Sequence, residues 1–241
     1  PVDKGIIDTS DLISPGAEDY VGAFFYGGGV GWDGARFPEG KHPVDFAGLW
    51  DVEAFPGRRG LSVNIGETLE IALLADGVKP QELYPLDVER GFAALDRIKP
   101  HVRKWIESTP QTVTLLSSDE IDFAYAYIGR IKTAQDSGST VAMSYKQTLN
   151  SLEFFAVPKN SPNREAGMRY IAFCLRPDRQ AAFGEAIFYT PNARKAFDLV
   201  SPEAKAFMPD MDSSDNAIAD ASWWADKYTE LQKRYTEWLL I

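Results

Sequence analysis

Apolar and polar positions follow two rhythms along this 241-residue chain. Short continuous or alternating apolar runs predict strands, and stripes spaced three to four residues apart predict helices. Residues 21–32, Val-Gly-Ala-Phe-Phe-Tyr-Gly-Gly-Gly-Val-Gly-Trp, predict a strand whose glycines permit a bend or close backbone approach. Further strands are expected at 61–64, 113–116, 121–127, 141–145 and 152–157. A helix is expected over 67–76, closed by Gly77 in a left-handed cap. Another spans 87–98, with Phe92, Leu95 and Ile98 on one face. Ser117-Ser-Asp-Glu120 has the form of a capping box opening a short helix. Residues 131–137 predict a helix closed by Gly138, and Asn163 caps one that runs through Leu175 and stops at Pro177. More helices start at Asp178, Ala193 and Ser222. Strands alternating with helices define an α/β class. The runs at 61–64, 113–116 and 121–127 are expected in one mixed sheet flanked by helices.

Composition narrows the partners. Apolar content of 44% with 25% charged residues is that of an ordinary globular protein, long enough for one large domain or two lobes. No run approaches the ~18 apolar residues of a membrane span. The formal charge of −10 argues against nucleic acid and suits either solubility or attraction of a cationic ligand. The single cysteine, Cys174, sits in an apolar helical pattern and reads as an inert thiol.

Little in the chain suggests reaction chemistry. Gly29-Val-Gly-Trp-Asp-Gly34 matches G-x-G-x-x-G, but a dinucleotide site needs a helix to begin there. Arg36-Phe-Pro-Glu-Gly40 breaks a helix, so the run reads as a Gly-rich strand. His42, His101 and Cys174 lie far apart and make a poor metal set. No G-x-S-x-G elbow occurs, and no acidic residue has a context marking it as a general acid or base. Neither enzyme activity nor a cofactor or metal is expected.

Several motifs, in order, carry a resemblance. They are Trp50-Asp-Val-Glu-Ala-Phe-Pro-Gly-Arg-Arg-Gly60, Ala72-Leu-Leu-Ala-Asp-Gly77, Leu95-Asp-Arg-Ile-Lys-Pro100 with Trp105, and Ala126-Tyr-Ile-Gly-Arg130. Phe154 to Asn163 with its Val-Pro-Lys-Asn-Ser-Pro-Asn turn follows, then Arg176-Pro-Asp, Tyr189-Thr-Pro-Asn192 and a Trp-rich C-terminal helix. Together they resemble the extracellular solute-binding proteins of ABC importers, in the spermidine/putrescine-binding branch. The resemblance implies a bilobal α/β fold of the type II periplasmic binding class, with ligand trapped in the interlobe cleft by hinge closure. On that map 1–29 and 154–205 belong to the first lobe, and 30–153 with 206–241 to the second. The family begins with a further portion of the first lobe, roughly 100 residues on the scale of a half-domain. On that map the chain is expected to start after that portion, and residues 1–19 have five acidic side chains and no apolar signal-type run. The resemblance implies that such a segment could be supplied in trans. Without it, apolar surface on the 154–175 side is expected to be exposed.

The resemblance also places a ligand site. An organic ammonium needs carboxylates for charge-assisted bonds and aromatic faces for cation–π attraction. The family's helix-start carboxylate pair corresponds to Asn64 and Glu67, one of them an amide here. Tyr127, Glu153, Tyr189 and Trp224 correspond to further positions, and Ser151 stands where the family has Trp. Each has a plainer reading. Glu67 suits a helix's first turn, Asn64 suits a cap, and the tyrosines suit a core. Glu153 interrupts an otherwise apolar strand and wants a partner. Trp223 and Trp224 point about 100° apart on their helix, one into the core. Arg130 either pairs with Glu67 or Glu153 or clamps a ligand carboxylate. The last case favours an amino acid-like zwitterion such as γ-aminobutyrate over putrescine or spermidine. The resemblance implies a periplasmic or extracellular protein that binds a small amine and hands it to a membrane permease. An enzyme on the same fold is the other alternative.

Overall fold

The computed structural model describes residues 2–241. In chain order the first elements are β1 (Val21–Asp33), α1 (Phe46–Trp50), β2 (Arg59–Ser62), α2 (Thr68–Ala75), α3 (Val88–Ile98) and β3 (Val102–Ile106). Then come α4 (Thr109–Ser117), β4 (Phe123–Tyr127), α5 (Ile128–Asp136), β5 (Val141–Met143) and β6 (Leu149–Phe155). The chain ends with α6 (Arg164–Cys174), α7 (Pro177–Ile187), β7 (Thr190–Pro191), α8 (Arg194–Leu199), α9 (Pro202–Lys205), β8 (Ala217–Ile218) and α10 (Ala221–Leu240). Two compact units result. One holds the chain up to Tyr26 with Ser151–Met208; the other holds Gly27–Asn150 with Pro209–Ile241.

The larger unit, Gly27–Asn150 with Pro209–Ile241, is built on a mixed sheet. Strands β2 and β3 pair in parallel, Leu61 opposite Trp105 and Ser62 opposite Ile106. β4 joins β2 in parallel at Arg59–Phe123. β1 then runs antiparallel to β4, from Gly28–Tyr127 to Trp32–Phe123, and also pairs with β5. The Gly-rich β1 stays a strand through Asp33, so the G-x-G-x-x-G run opens no helix. A Cβ on Gly29 would lie 2.4 Å from the Ser144 carbonyl oxygen, so the strand needs a residue without a side chain there.

Helices cover this sheet for legible reasons. Asp87 caps α3 by accepting the Arg90 N–H at 3.1 Å, and Phe92, Leu95 and Ile98 are buried. Burying each such side chain stabilises by about 1.5–3 kcal/mol. α2 is buried from Thr68 to Leu74 and packs closely on α3 at Gly91, where a Cβ would meet Leu69 Cδ1 at 2.4 Å. Arg59, fully buried, donates to the carbonyls of Leu49 at 3.0 Å, Gly57 at 2.7 Å and Asp51 at 3.3 Å. Burial lowers its pKa to about 10. The Trp50–Gly60 run is thus a structural clasp, with the Trp50 indole N–H on the Ala94 carbonyl at 3.0 Å.

Two sequence expectations fail in this unit. Residues 113–116 lie inside helix α4, and the third strand of the expected sheet is β3. Ser108 takes extended N-cap geometry and Pro110 sits in the first turn, which starts a helix before the apolar run. Ser117–Glu120 opens no helix. It lies at the end of α4, where Asp119 has φ 61°.

The smaller unit packs Ile7, Leu12, Val21, Met168, Ile171 and Leu175 into its own core. In it β1 pairs with β7 at Phe24–Pro191, and Gln180 bonds Ala23, Asn192 and Ala193 backbone groups. Phe154, Tyr170, Phe173 and Phe183 are exposed.

Candidate ligand-binding site

The larger unit carries a concave pocket at the carboxyl ends of β2, β3 and β4, where α2, α4 and α5 begin. Open α/β sheets present ligand sites at strand carboxyl ends, because following helices turn free N–H groups toward that edge. Four groups of residues form the wall. Ser62 comes from the end of β2, Asn64 from the turn after it, and Gly66, Glu67 and Thr68 from the start of α2. Glu107, Ser108, Thr109 and Thr112 come from the start of α4. Tyr125 and Tyr127 come from one face of β4, as the two-residue period of a strand requires.

The turn is held from several sides. The Val63 N–H donates to the Ile106 carbonyl at 3.0 Å. From α10, Gln232 accepts the Ile65 N–H at 2.9 Å and donates to the Val63 carbonyl at 3.0 Å. Tyr235 donates its hydroxyl to the Ser62 carbonyl at 2.9 Å. The Thr68 hydroxyl donates to the Asn64 carbonyl at 2.6 Å. Within this clamp Glu67 adopts φ 67°, ψ −38°, a conformation that strains a residue bearing a Cβ. Its side chain is half-buried and accepts the Tyr127 hydroxyl. The Tyr125 and Tyr127 rings meet edge-on, centroids 5.1 Å apart, and the Tyr125 hydroxyl donates to the Leu149 carbonyl at 3.2 Å.

One turn further along α2, Glu70 points the other way, into the core. Its Oε1 accepts the Tyr84 hydroxyl and the Trp224 indole N–H, each at 2.6 Å, and among the described residues its Oε2 has no hydrogen-bond partner. Burial pushes its pKa up, against the pull of those two donors.

The sequence-derived site residues therefore separate. Asn64, Glu67 and Tyr127 line one pocket. Trp224 is buried against Glu70 and does not line it; of the tryptophan pair it is the more deeply buried. Arg130, on the first turn of α5, is exposed and does not line the pocket. Ser151, Glu153 and Tyr189 belong to the smaller unit: Ser151 buried, Glu153 exposed on β6, Tyr189 against Phe24 with centroids 5.3 Å apart. Sequence reasoning missed Tyr125, Glu107, Ser108, Thr109 and Thr112. Tyr125 is two residues from Tyr127 on the same strand, and Ser108-Thr-Pro-Gln111 has the spacing of a capping box.

A carboxylate, a tyrosine pair, several hydroxyls and the amino ends of helices surround a small concavity. That inventory recognises a small polar solute by charge and hydrogen bonding. Among the described residues no group of His, Cys, Asp and Glu could hold a metal ion, and no helix is long and apolar enough to cross a membrane.

Residues 3–210 match the bacterial extracellular solute-binding protein family, and the chain belongs to it. It is 36% identical over 205 residues to the gamma-aminobutyric acid-binding protein of Pseudomonas aeruginosa, covering 82% of this chain and 58% of that protein. It is 26% identical to the spermidine/putrescine-binding periplasmic protein of Escherichia coli, over 77% of this chain and 53% of the relative. The chain thus spans somewhat more than half the length of these curated relatives. An ABC transporter substrate-binding protein from Bradyrhizobium japonicum superposes with a TM-score of 0.91 at 32% identity, covering 98% of this chain and 75% of that one.

Proposed function

We propose that this protein is the substrate-binding component of an ABC importer and captures a small organic amine, of the ω-amino acid type, outside the cytoplasmic membrane. Glu67 is the observation that carries the reading. A residue held at positive φ by bonds from two neighbouring elements, with its carboxylate bonded to Tyr127 in a pocket, marks a place where position outweighs local stability. A ligand ammonium placed there bonds the carboxylate and packs its methylenes on Tyr125 and Tyr127. The partner is a membrane permease that accepts the loaded protein. The γ-aminobutyrate-binding relative supports the ω-amino acid class.

A diamine or polyamine is the second reading, because Glu107 also lines the pocket and gives it a second carboxylate. Ser151, Glu153, Tyr189 and Arg130 are carried as further proposed contacts on the strength of the family pattern.

The test is a thermal-shift screen of the full-length protein with γ-aminobutyrate, putrescine, spermidine and neutral sugars. Ligand at 100 times its Kd stabilises by about 2.7 kcal/mol. At roughly 2–4 °C per kcal/mol that raises Tm by about 5–11 °C. A shift with sugars and none with amines sinks the proposal.

A further inference from the structure

Glu70 is a wholly enclosed acid that the proposed binding chemistry does not use. It lies on α2, one turn beyond Glu67. Both of its side-chain donors, Tyr84 and Trp224, are neutral and share Oε1, which leaves Oε2 bare among the described residues. Burial pushes the Tyr84 pKa up, so its hydroxyl stays a donor. The charged groups of the surrounding elements are engaged elsewhere. On α2 itself Glu67 meets Tyr127, and Asp76 meets Arg90 and Arg97. Ahead of Tyr84, Lys79 pairs with Glu82. On α10, Asp220 accepts the Ser222 and Trp223 N–H groups, and Lys227 lies over the Trp223 ring. Arg234 of α10 pairs with Glu89 of α3, and α1 carries no titratable side chain. An enclosed carboxylate with no cation and one bare oxygen is costly. The neutral acid fits better: Oε1, as the carbonyl oxygen, accepts both bonds and Oε2 carries the proton.

We infer that ligand capture is coupled to a proton on Glu70: the acid is neutral in the free protein and releases its proton to solvent as an ammonium seats on Glu67. This rests on the proposed function and adds a regulation to it. The negative charge of Glu67 opposes a second one on Glu70, all the more in a low-dielectric interior. An ammonium bonded to Glu67 offsets that charge and lowers the cost of ionising Glu70. Burial raises the Glu70 pKa, and Tyr84, Trp224 and the backbone N–H groups of Glu70 and Glu67 pull against it. Those donors stand ready to hold the carboxylate once the proton leaves, and one of them belongs to the residue that meets the ligand. By linkage, a cation that promotes loss of the proton binds more tightly as pH rises through the Glu70 titration. An ω-amino acid and a diamine both bring an ammonium to Glu67, so the coupling holds for either.

The experiment is calorimetry of γ-aminobutyrate and putrescine on the full-length parent, Glu70→Gln and Tyr84→Phe, from about pH 5.5 to 8, where a carboxyl and an ammonium of ordinary pKa do not titrate. Each titration is run in two buffers of different ionisation heat, so that the difference in heat counts protons. The parent is expected to release a fraction of a proton per ligand, and its affinity to rise with pH by about fivefold or more, the low end of coupling between two sites. Glu70→Gln keeps the shape of the neutral acid and its acceptor oxygen. It should bind with no such release and with an affinity constant within about twofold across the range. Tyr84→Phe removes a donor to the carboxylate and should move the midpoint of the affinity rise to higher pH. Binding by the parent without proton release overturns the inference and leaves the amine site standing. Release that persists in Glu70→Gln, or a midpoint unmoved in Tyr84→Phe, assigns the proton to another group and also overturns it. A parent that binds neither amine overturns the amine reading and this inference together.

Discussion

Replacing Glu67 separates its strain from its charge. At φ 67°, ψ −38° a residue with a Cβ carries about 1–3 kcal/mol of backbone strain. Glu67→Gly removes that strain. It also adds about 0.4–1 kcal/mol of unfolded-state entropy and deletes a half-exposed, charge-assisted bond from Tyr127 of about 1–2 kcal/mol. These terms nearly cancel, so the glycine variant should lie within about 1 kcal/mol of the parent. Glu67→Ala loses the same bond but keeps the strain, and should be less stable than Glu67→Gly by about 1 kcal/mol. That inverts the usual order, in which alanine is the better residue at a helix start or interior. Both variants should lose amine affinity by about 2–5 kcal/mol, roughly 30-fold to several thousand-fold, because the ammonium is left without its carboxylate. Urea denaturation reads the first pair of numbers and calorimetry the second. An alanine variant as stable as the glycine variant would refute the strain. A glycine variant that binds like the parent would remove Glu67 from the site.

Other outcomes follow from the same geometry. Asp122 accepts bonds from Arg58 and from Arg36; burial raises its pKa, but these bonds prevail and hold it at about 2. Its folded pKa is depressed below 3.8, so its stabilisation is present above that pH and is lost as pH falls toward 2. Asp122→Asn should therefore cost about 2–4 kcal/mol at pH 7 and markedly less in acid denaturation at pH 2. Glu70 is raised by burial above 4.5, so its contribution is complete below that pH and declines as pH rises through the folded value. The stability of Glu70→Gln relative to the parent should rise with pH from 4.5 upward in urea melts, and a flat difference would contradict the assignment. Gly91→Val should destabilise by about 1–3 kcal/mol through overpacking on Leu69, read as a fall in Tm. Glu153→Gln, titrated by calorimetry, should weaken amine binding if the family pattern holds, and unchanged affinity drops Glu153 from the proposal.

Much of the fold was readable because long periodic segments repeat their signal. The α3 stripe of Phe92, Leu95 and Ile98, with Asp87 ahead of it, is legible at every turn. The four-residue run 113–116 has no such redundancy, and an apolar run of that length fits a strand or a buried helix turn alike. Its misassignment hid the amino end of α4, and with it Ser108, Thr109 and Thr112. β3 escaped notice for a different reason. It is the edge strand beside β2, and its Arg103 and Lys104 dilute the apolar pattern, as charges on edges commonly do. Glu67 and Tyr127 came from the family resemblance, and their hydrogen bond spans 60 residues of sequence. Trp224 matched the same pattern, but its indole N–H meets the buried Glu70, an acid whose burial within the α2 apolar run was invisible to composition. The positive φ of Glu67 could not be read from residue type, since glycine at 66 is the residue expected to take it.

Equilibrium dialysis of labelled γ-aminobutyrate against the full-length protein and its Glu67→Gln variant addresses the central claim most directly. The variant keeps the side chain's shape and removes its charge. The account predicts saturable one-to-one binding by the parent, displaced by unlabelled amine and not by sugar, and a loss of about 30-fold or more in the variant. Equal binding by parent and variant, or none by the parent with any amine, would contradict it.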